Sequence, residues 1–178
     1  MIRLSSPDRR LTDDADAEVA RYDVVASGSA TFRSLAEEAA RIAGVPVALV
    51  SLMTSTSHRA LAAVGTDVTV LDVNDTMCLV VLGEGGRVHV RDASQDERWQ
   101  DNPFVDGRWA DMRFLGVHPL RSPRGVVIGT LTVLDQRPRE LAPSQVDALD
   151  ALAERVVDAL EAGRLAAPAH GSRPDGTP

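Results

Sequence analysis

Two strand-like segments, 113–120 and 126–134, stand on either side of the turn Arg121-Ser122-Pro123-Arg124-Gly125. A turn carrying both proline and glycine between two apolar runs specifies a hairpin. Other strand-like segments precede it in close succession. Val47 to Met53 is short, apolar and rich in β-branched residues, as a buried strand is. The polar turn Thr54-Ser55-Thr56-Ser57 leads to a second strand over 58–64, which Gly65 ends. Residues 68–73 predict a third, short piece. A fourth runs over 87–91, where Val88 and Val90 alternate with Arg87, His89 and Arg91. These strands follow one another without the regular helical crossovers that parallel neighbours would need. The expected fold is therefore α+β, built on an antiparallel sheet.

Two helices bracket the strands. Over Ala30 to Ala43, Phe32, Leu35, Ala36, Ala39, Ile42 and Ala43 recur at helical spacing. Ser29 is placed to cap the start and Gly44 to end the helix in a left-handed conformation. Pro143 opens the second helix at a position where a missing N–H costs nothing, and 143–162 is predicted helical. Both helices are expected on one face of the sheet. The irregular stretch 92–111 is expected to cover the other face, since a connection this long without a period is often functional. A short helix over 76–82 is predicted after Asn74-Asp75. On the last strand, Val127, Gly129, Leu131 and Val133 are expected to share one face, and Ile128, Thr130, Thr132 and Leu134 the other. The chain divides into a loosely held arm (1–28), one domain (29–163) and a Pro/Gly-rich disordered tail (164–178). Asp13, Asp14 and Asp16 lack the glycine and distal glutamate of a calcium loop, so they read as a solvated acidic face of the arm.

Composition narrows the function. The 178 residues carry a net charge of -7, which leaves no broad basic footprint for nucleic acid. No apolar run approaches the roughly 20 residues of a membrane helix. The N-terminus has no signal-peptide core, so a cytoplasmic protein is expected. Cys78 is the one cysteine, which excludes an intramolecular disulfide, a CxxC pair and a Cys-rich zinc site. No nucleophile–base pair and no contextual GxSxG, HExxH, Walker A or GxGxxG motif is present, so catalysis is not expected.

Aromatic residues are scarce but clustered. Trp99, Phe104, Trp109 and Phe114 fall in one stretch, and Tyr22 and Phe32 are the only others. With Arg98, Arg108 and Arg113 they form a candidate pocket, since apolar walls with a few orienting polar groups suit a small ligand. Guanidinium groups fork onto carboxylates or phosphates and stack on indole rings. The alternative is a minor core that keeps a long loop ordered. His118 lies within a hairpin strand, either facing the cavity or simply hydrogen-bonded.

An ordered string of residues resembles the GAF domain, a small-molecule sensory module related to PAS. It begins with Gly44-Val45-Pro46-Val47-Ala48-Leu49-Val50-Ser51-Leu52 and with Gly65 after the second strand. It continues through Val90-Arg91-Asp92, Asp96-Glu97-Arg98-Trp99 and Asp101-Asn102-Pro103. It ends with Arg113-Phe114, Pro119-Leu120, Gly129-Thr130-Leu131-Thr132-Val133-Leu134-Asp135 and Pro138-Arg139. The departures bear on function. Thr76-Met77-Cys78-Leu79-Val80 stands where similar members carry Ser-Phe-Cys-Ala-His. Asp111-Met112-Arg113-Phe114 offers no cysteine for bilin attachment. A single cysteine cannot form the internal disulfide of the free methionine sulfoxide reductases of this fold, and the cyclic-nucleotide signature of phosphodiesterase members is not found.

The resemblance implies a non-catalytic sensory or regulatory module that binds an unidentified small molecule and signals through dimerisation or a partner protein. Cys78, Trp99, Phe104, Trp109, Arg113, Phe114 and His118 are the expected ligand contacts. The alternative is a thiol redox sensor or reductase-like enzyme centred on Cys78. No cofactor is named, and neither nucleic acid nor membrane is an expected partner. The C-terminal helix presents three arcs. Val146, Leu149, Leu152, Ala153, Val156, Val157 and Leu160 face the core. Asp147, Asp150, Glu154, Asp158 and Glu161 form an acidic stripe. Ala148, Ala151, Arg155, Ala159 and Ala162 form a small-residue face, the expected homodimer interface.

Overall fold

The computed structural model describes residues 9–23, 25, 29–79 and 86–166. Six strands form one sheet: β1 (Val47–Met53), β2 (Ser57–Val64), β3 (Val70–Asp72), β4 (Val88–Val90), β5 (Phe114–Arg121) and β6 (Val127–Asp135). Their spatial order is β3-β2-β1-β6-β5-β4. Every neighbouring pair is antiparallel. The two hairpins meet where β1 pairs with β6, so residues 81 apart in sequence close the middle of the sheet (Val50↔Leu131 in register).

The helices are α1 (Arg9–Ala20), α2 (Ala30–Ala43) and α3 (Pro143–Ala166). Ser29 caps α2 by accepting the Phe32 N–H at 3.4 Å, and Gly44 ends it at φ 65°. The buried side chains of α2 (Phe32, Leu35, Ala36, Ala39, Ala43) and of α3 (Leu149, Leu152, Ala153, Val156, Leu160) share one core with Val50, Leu52, Leu131 and Val133 of the sheet. Burying a leucine of this kind contributes about 2 kcal/mol. The opposite face carries a second core, with Met53, Val73, Met77, Cys78, Trp99, Val105, Leu115 and Val117 beneath the irregular segment.

Three features differ from the sequence expectation. The arm is not loosely held: Ala15, Val19, Tyr22 and Val25 are buried, the last three in the helix-side core. Polar contacts reinforce the packing. The Asp16 carboxylate accepts the Ser55 N–H at 2.6 Å and its hydroxyl at 2.5 Å, while Glu18 pairs with Arg21 and Arg124. Asp16 is thus a turn partner rather than part of a solvated face. Secondly, α3 continues through Gly163 to Ala166, supported by the Arg164–Glu161 pair at 2.7 Å. The remaining tail lies outside the described residues, as do 80–82 of the predicted 76–82 helix; Met77 and Cys78 form a turn instead, and helical conformation begins at Leu79.

Thirdly, β6 does not alternate throughout. Leu120 pairs with Gly129 but Arg121 with Val127, so Ile128 is an extra residue in the strand. A one-residue bulge reverses the facing of what precedes it. Ile128 therefore joins Leu131 and Val133 in the helix-side core, and Val127 packs on the other side. β2 behaves alike: Leu61 is the extra residue between the Val50↔Ala62 and Ser51↔Ala60 pairs.

Gly129 has a strict steric role. A Cβ there would stand 1.9 Å from the Ser51 carbonyl oxygen. Asp135 ends β6 by accepting the Arg137 N–H at 3.0 Å and by pairing with Arg139.

Candidate functional site

On the sheet face away from the helices lies a cavity of about 60 Å³. Its floor is Val47 and Leu49 of β1, Leu115 of β5, and Thr132 and Leu134 of β6. Its walls are Thr66, Val68, Leu71 and Thr76–Cys78, with Phe104 and Met112 from the covering segment. His58, at the start of β2, completes it. No Asp, Glu or Arg lines it among the described residues.

One polar atom in this lining stands apart. His58 is only 5% exposed, its Nδ1 lies 3.3 Å from the Thr76 hydroxyl, and its Nε2 is buried with no hydrogen-bond partner among the described residues. An unpaired buried polar group costs about 1–3 kcal/mol. Burial also pushes the imidazole pKa down from 6.5 to about 4, so the ring is neutral at physiological pH.

Cys78 lies in the same lining, and its surroundings keep it a thiol. Its Sγ is 3.4 Å from the Thr132 hydroxyl, which donates on to Thr130 at 3.1 Å. Burial raises the thiol pKa, and hydrogen bonds from threonine hydroxyls oppose this without reversing it. Among the described residues no arginine lines the cavity to stabilise a thiolate.

The other expected contacts separate. Phe104 lines the cavity, and Trp109 packs edge-on against it at 5.2 Å but is 55% exposed. Trp99 is buried within the second core, with the Arg98 guanidinium 4.2 Å from its ring centre, and is not in the lining. Arg113 does not reach the cavity; it donates to the Val105 and Met112 carbonyls at 3.1 Å and pairs with Asp111 at 2.5 Å. Arg108 pairs with Asp106 and donates to the Asp101 carbonyl. These two arginines hold the covering segment in shape. The aromatic cluster is therefore largely the core of a long loop, the blander of its two expected roles.

Phe114 and His118 are displaced by strand alternation. Leu115 and Val117 face the covering segment, so Phe114 and His118 face the helices. Neither borders the cavity. His118 is fully buried and its Nδ1–H donates to Asp150 of α3 at 2.6 Å. Its Nε2 accordingly accepts from His89 Nε2–H at 3.0 Å, and Arg87 pairs with the other Asp150 oxygen. Burial lowers the His118 pKa against the opposing pull of Asp150.

The acidic stripe of α3 is thus partly turned inward. Glu161 likewise accepts from the buried Tyr22 hydroxyl. On the small-residue face, Ala151 and Ala162 are exposed, Ala148 is half-buried, and Ala159 packs against the chain's own core. Arg155 pairs with Glu38 of α2 at 2.8 Å, within the same chain.

The family model for the GAF domain matches residues 27–160, nearly the whole of this sheet and its two long helices. The chain belongs to the GAF domain family. Over 113 residues it is 33% identical to a cyclic di-GMP phosphodiesterase of Pseudomonas aeruginosa; the match takes in 63% of this chain and 19% of that protein. The chain thus spans about a fifth of that relative. Among solved structures, its fold resembles the GAF domain of an Acinetobacter phosphoenolpyruvate-protein phosphotransferase (TM-score 0.63, 15% identity, 87% of this chain and 96% of that one). It also resembles the free methionine-R-sulfoxide reductase of Neisseria meningitidis in complex with its substrate (TM-score 0.63, 20% identity, 89% and 90%).

Within this GAF domain, His58, Thr76 and Met112 line the cavity, and no sequence pattern marks them for it. His58 follows a polar turn, which reads as surface. In the fold Leu71 pairs with it in register and Thr76 stands at its Nδ1. A histidine inside a strand was the available signal, and it drew attention to His118 instead.

Proposed function

We propose that this GAF domain is a non-catalytic sensory module that holds a small molecule in the cavity between the sheet and its covering segment. The observation that carries the reading is the Nε2 of His58, a residue lining a mostly apolar cavity, which is buried with no hydrogen-bond partner among the described residues. A bound molecule would satisfy it. Cys78, Phe104 and His58 are the ligand contacts on this reading. Trp99, Trp109 and Arg113 shape the segment that carries Phe104 and Met112. The expected setting is the bacterial cytoplasm.

Catalysis at Cys78 is disfavoured by its burial, its raised pKa and the lack of a second cysteine for a disulfide. The output runs through α3, either to a partner protein or to a second copy of the chain. Ala148, Ala151 and Ala162 supply the small-residue surface for a second copy, with Ala159 at its edge. Native mass spectrometry of the purified protein tests the ligand reading. A non-covalent small molecule, absent after denaturation, is expected. A bare chain from every expression host, with no probe that enters the cavity, would end it.

A further inference from the structure

A pair of imidazole nitrogens lies on the opposite face of the sheet from the cavity. Val88 and Val90 of β4 pack beneath the covering segment, so His89 between them faces the helices, as His118 of β5 does. Gly116 stands directly across from His89 in register and has no side chain to hold the ring off. The His89 Cδ2 lies 3.6 Å from where a Cβ on Gly116 would be. The exposed His89 ring leans across this gap, and its Nε2 comes within 3.0 Å of the Nε2 of the buried His118.

A carboxylate fixes the protons, because it only accepts. Asp150 Oδ1 lies 2.6 Å from His118 Nδ1, so the neutral His118 ring keeps its proton there and its Nε2 carries a lone pair. His89 supplies the one proton between the two Nε2 atoms. The same ring can carry that proton on Nδ1 instead, and two lone pairs then stand together.

Two such lone pairs suit one late first-row metal ion, for which imidazole is a good ligand. Nitrogens bound to one ion at about 2.0–2.1 Å stand roughly 2.9–3.4 Å apart at cis or tetrahedral angles. The observed 3.0 Å falls within that range. Asp150 stands behind His118 as a carboxylate stands behind a metal-bound histidine, setting tautomer and ring orientation. Arg87 pairs with the other Asp150 oxygen, so its charge is offset. No third His, Cys, Asp or Glu joins the pair into a larger metal-holding group among the described residues. Water would complete the coordination. Hard cations such as Mg2+ seek oxygen ligands and are not suited here.

We propose that His89 and His118 form an open two-histidine site for a late first-row divalent cation such as Zn2+, with Asp150 as the positioning residue behind His118. His118 stays in place, held by Asp150. His89 turns at the sheet edge, and its proton passes from Nε2 to Nδ1 as the metal takes the lone pair. The site is independent of the cavity and of what the cavity binds.

Zn2+ alone is titrated into the full chain near neutral pH, with Mg2+ as the control, following the histidine ring nitrogens by NMR. The His89 and His118 signals should shift together and saturably with Zn2+, leaving His58 unmoved, and Mg2+ should move neither. His89→Ala, at the exposed edge, should abolish the His118 shift. Asp150→Asn should weaken Zn2+ binding about 10–100-fold, as loss of an outer partner of a metal-bound histidine does. Zn2+ that binds only the folded chain should also raise the wild-type melting temperature, and should not raise that of His89→Ala. Zn2+ that leaves His89 and His118 unmoved, or binds His89→Ala as tightly as the wild type, overturns the site. An equal response to Mg2+ overturns the assigned class of metal.

Discussion

His58 should make the protein markedly less stable in mild acid. In the unfolded chain its imidazole titrates near 6.5, and in the folded protein at about 4. Between those values the unfolded state binds the extra proton and the folded state does not. Stability from this group is therefore fully present above about pH 6.5 and is lost progressively as pH falls toward 4. The full shift corresponds to about 3 kcal/mol, of which about 2.5 kcal/mol is lost by pH 4.5. Other groups also titrate here, notably His118 and His89, whose pKa values are held down chiefly by desolvation. A difference measurement cancels them. Urea unfolding at about pH 7.5 and about pH 4.5 should be compared for the wild type and His58→Gln. The wild type should lose about 2.5 kcal/mol more than the variant over this interval. Equal losses within about 0.5 kcal/mol would show that His58 is solvated or paired in the folded protein. The depressed pKa and the orphaned nitrogen would then both be wrong.

Four further outcomes follow from the packing. Gly129→Ala should destabilise by about 3 kcal/mol or more, because its Cβ would meet the Ser51 carbonyl oxygen at 1.9 Å, where only backbone could yield; a melting temperature within a few degrees of wild type would contradict the bulge geometry. Iodide should quench Trp109 (55% exposed) and spare Trp99 (2%), so Trp109→Phe removes nearly all quenching; residual quenching of Trp99 would mean the covering segment opens. The Cys78 thiol should resist maleimide in the folded protein and react on unfolding, as expected of a buried thiol of raised pKa; prompt labelling would revive the redox reading, and Cys78→Ser should cost about 1 kcal/mol. Light scattering should find a dimer at tens of micromolar that Ala151→Arg disrupts with the monomer still folded. A wild-type monomer, or a variant that still dimerises, removes the small-residue face as the interface.

Much of the fold was legible because local rules and packing agree. The α2 helix has its amphipathic period, its serine cap and its terminal glycine, and each leads to the same boundaries, Ala30–Ala43. β1 is an apolar β-branched run buried on both faces, and it too falls where the pattern places it. The bulges were not legible. An inserted residue such as Ile128 leaves the hydrophobic run unbroken and changes only which neighbour each side chain meets. The same limit governed the site. His58 and Thr76 are 18 residues apart, and no spacing rule joins them. Asp150 reaches His118 across 32 residues, so a member of the acidic stripe of the isolated helix becomes the partner of a buried histidine in the fold. The aromatic cluster attracted attention by composition. Composition does not distinguish a residue that lines a cavity from one that fills a loop core, as Trp99 does.

The cavity is the central claim, and methionine methyl NMR tests it most directly. Met77 and Met112 both line it. A screen of small uncharged molecules against protein labelled at the methionine methyls should yield hits that shift these two signals together and saturably, with the His58 ring nitrogens moving in parallel. Hits that bind while leaving Met77, Met112 and His58 unmoved would contradict the account.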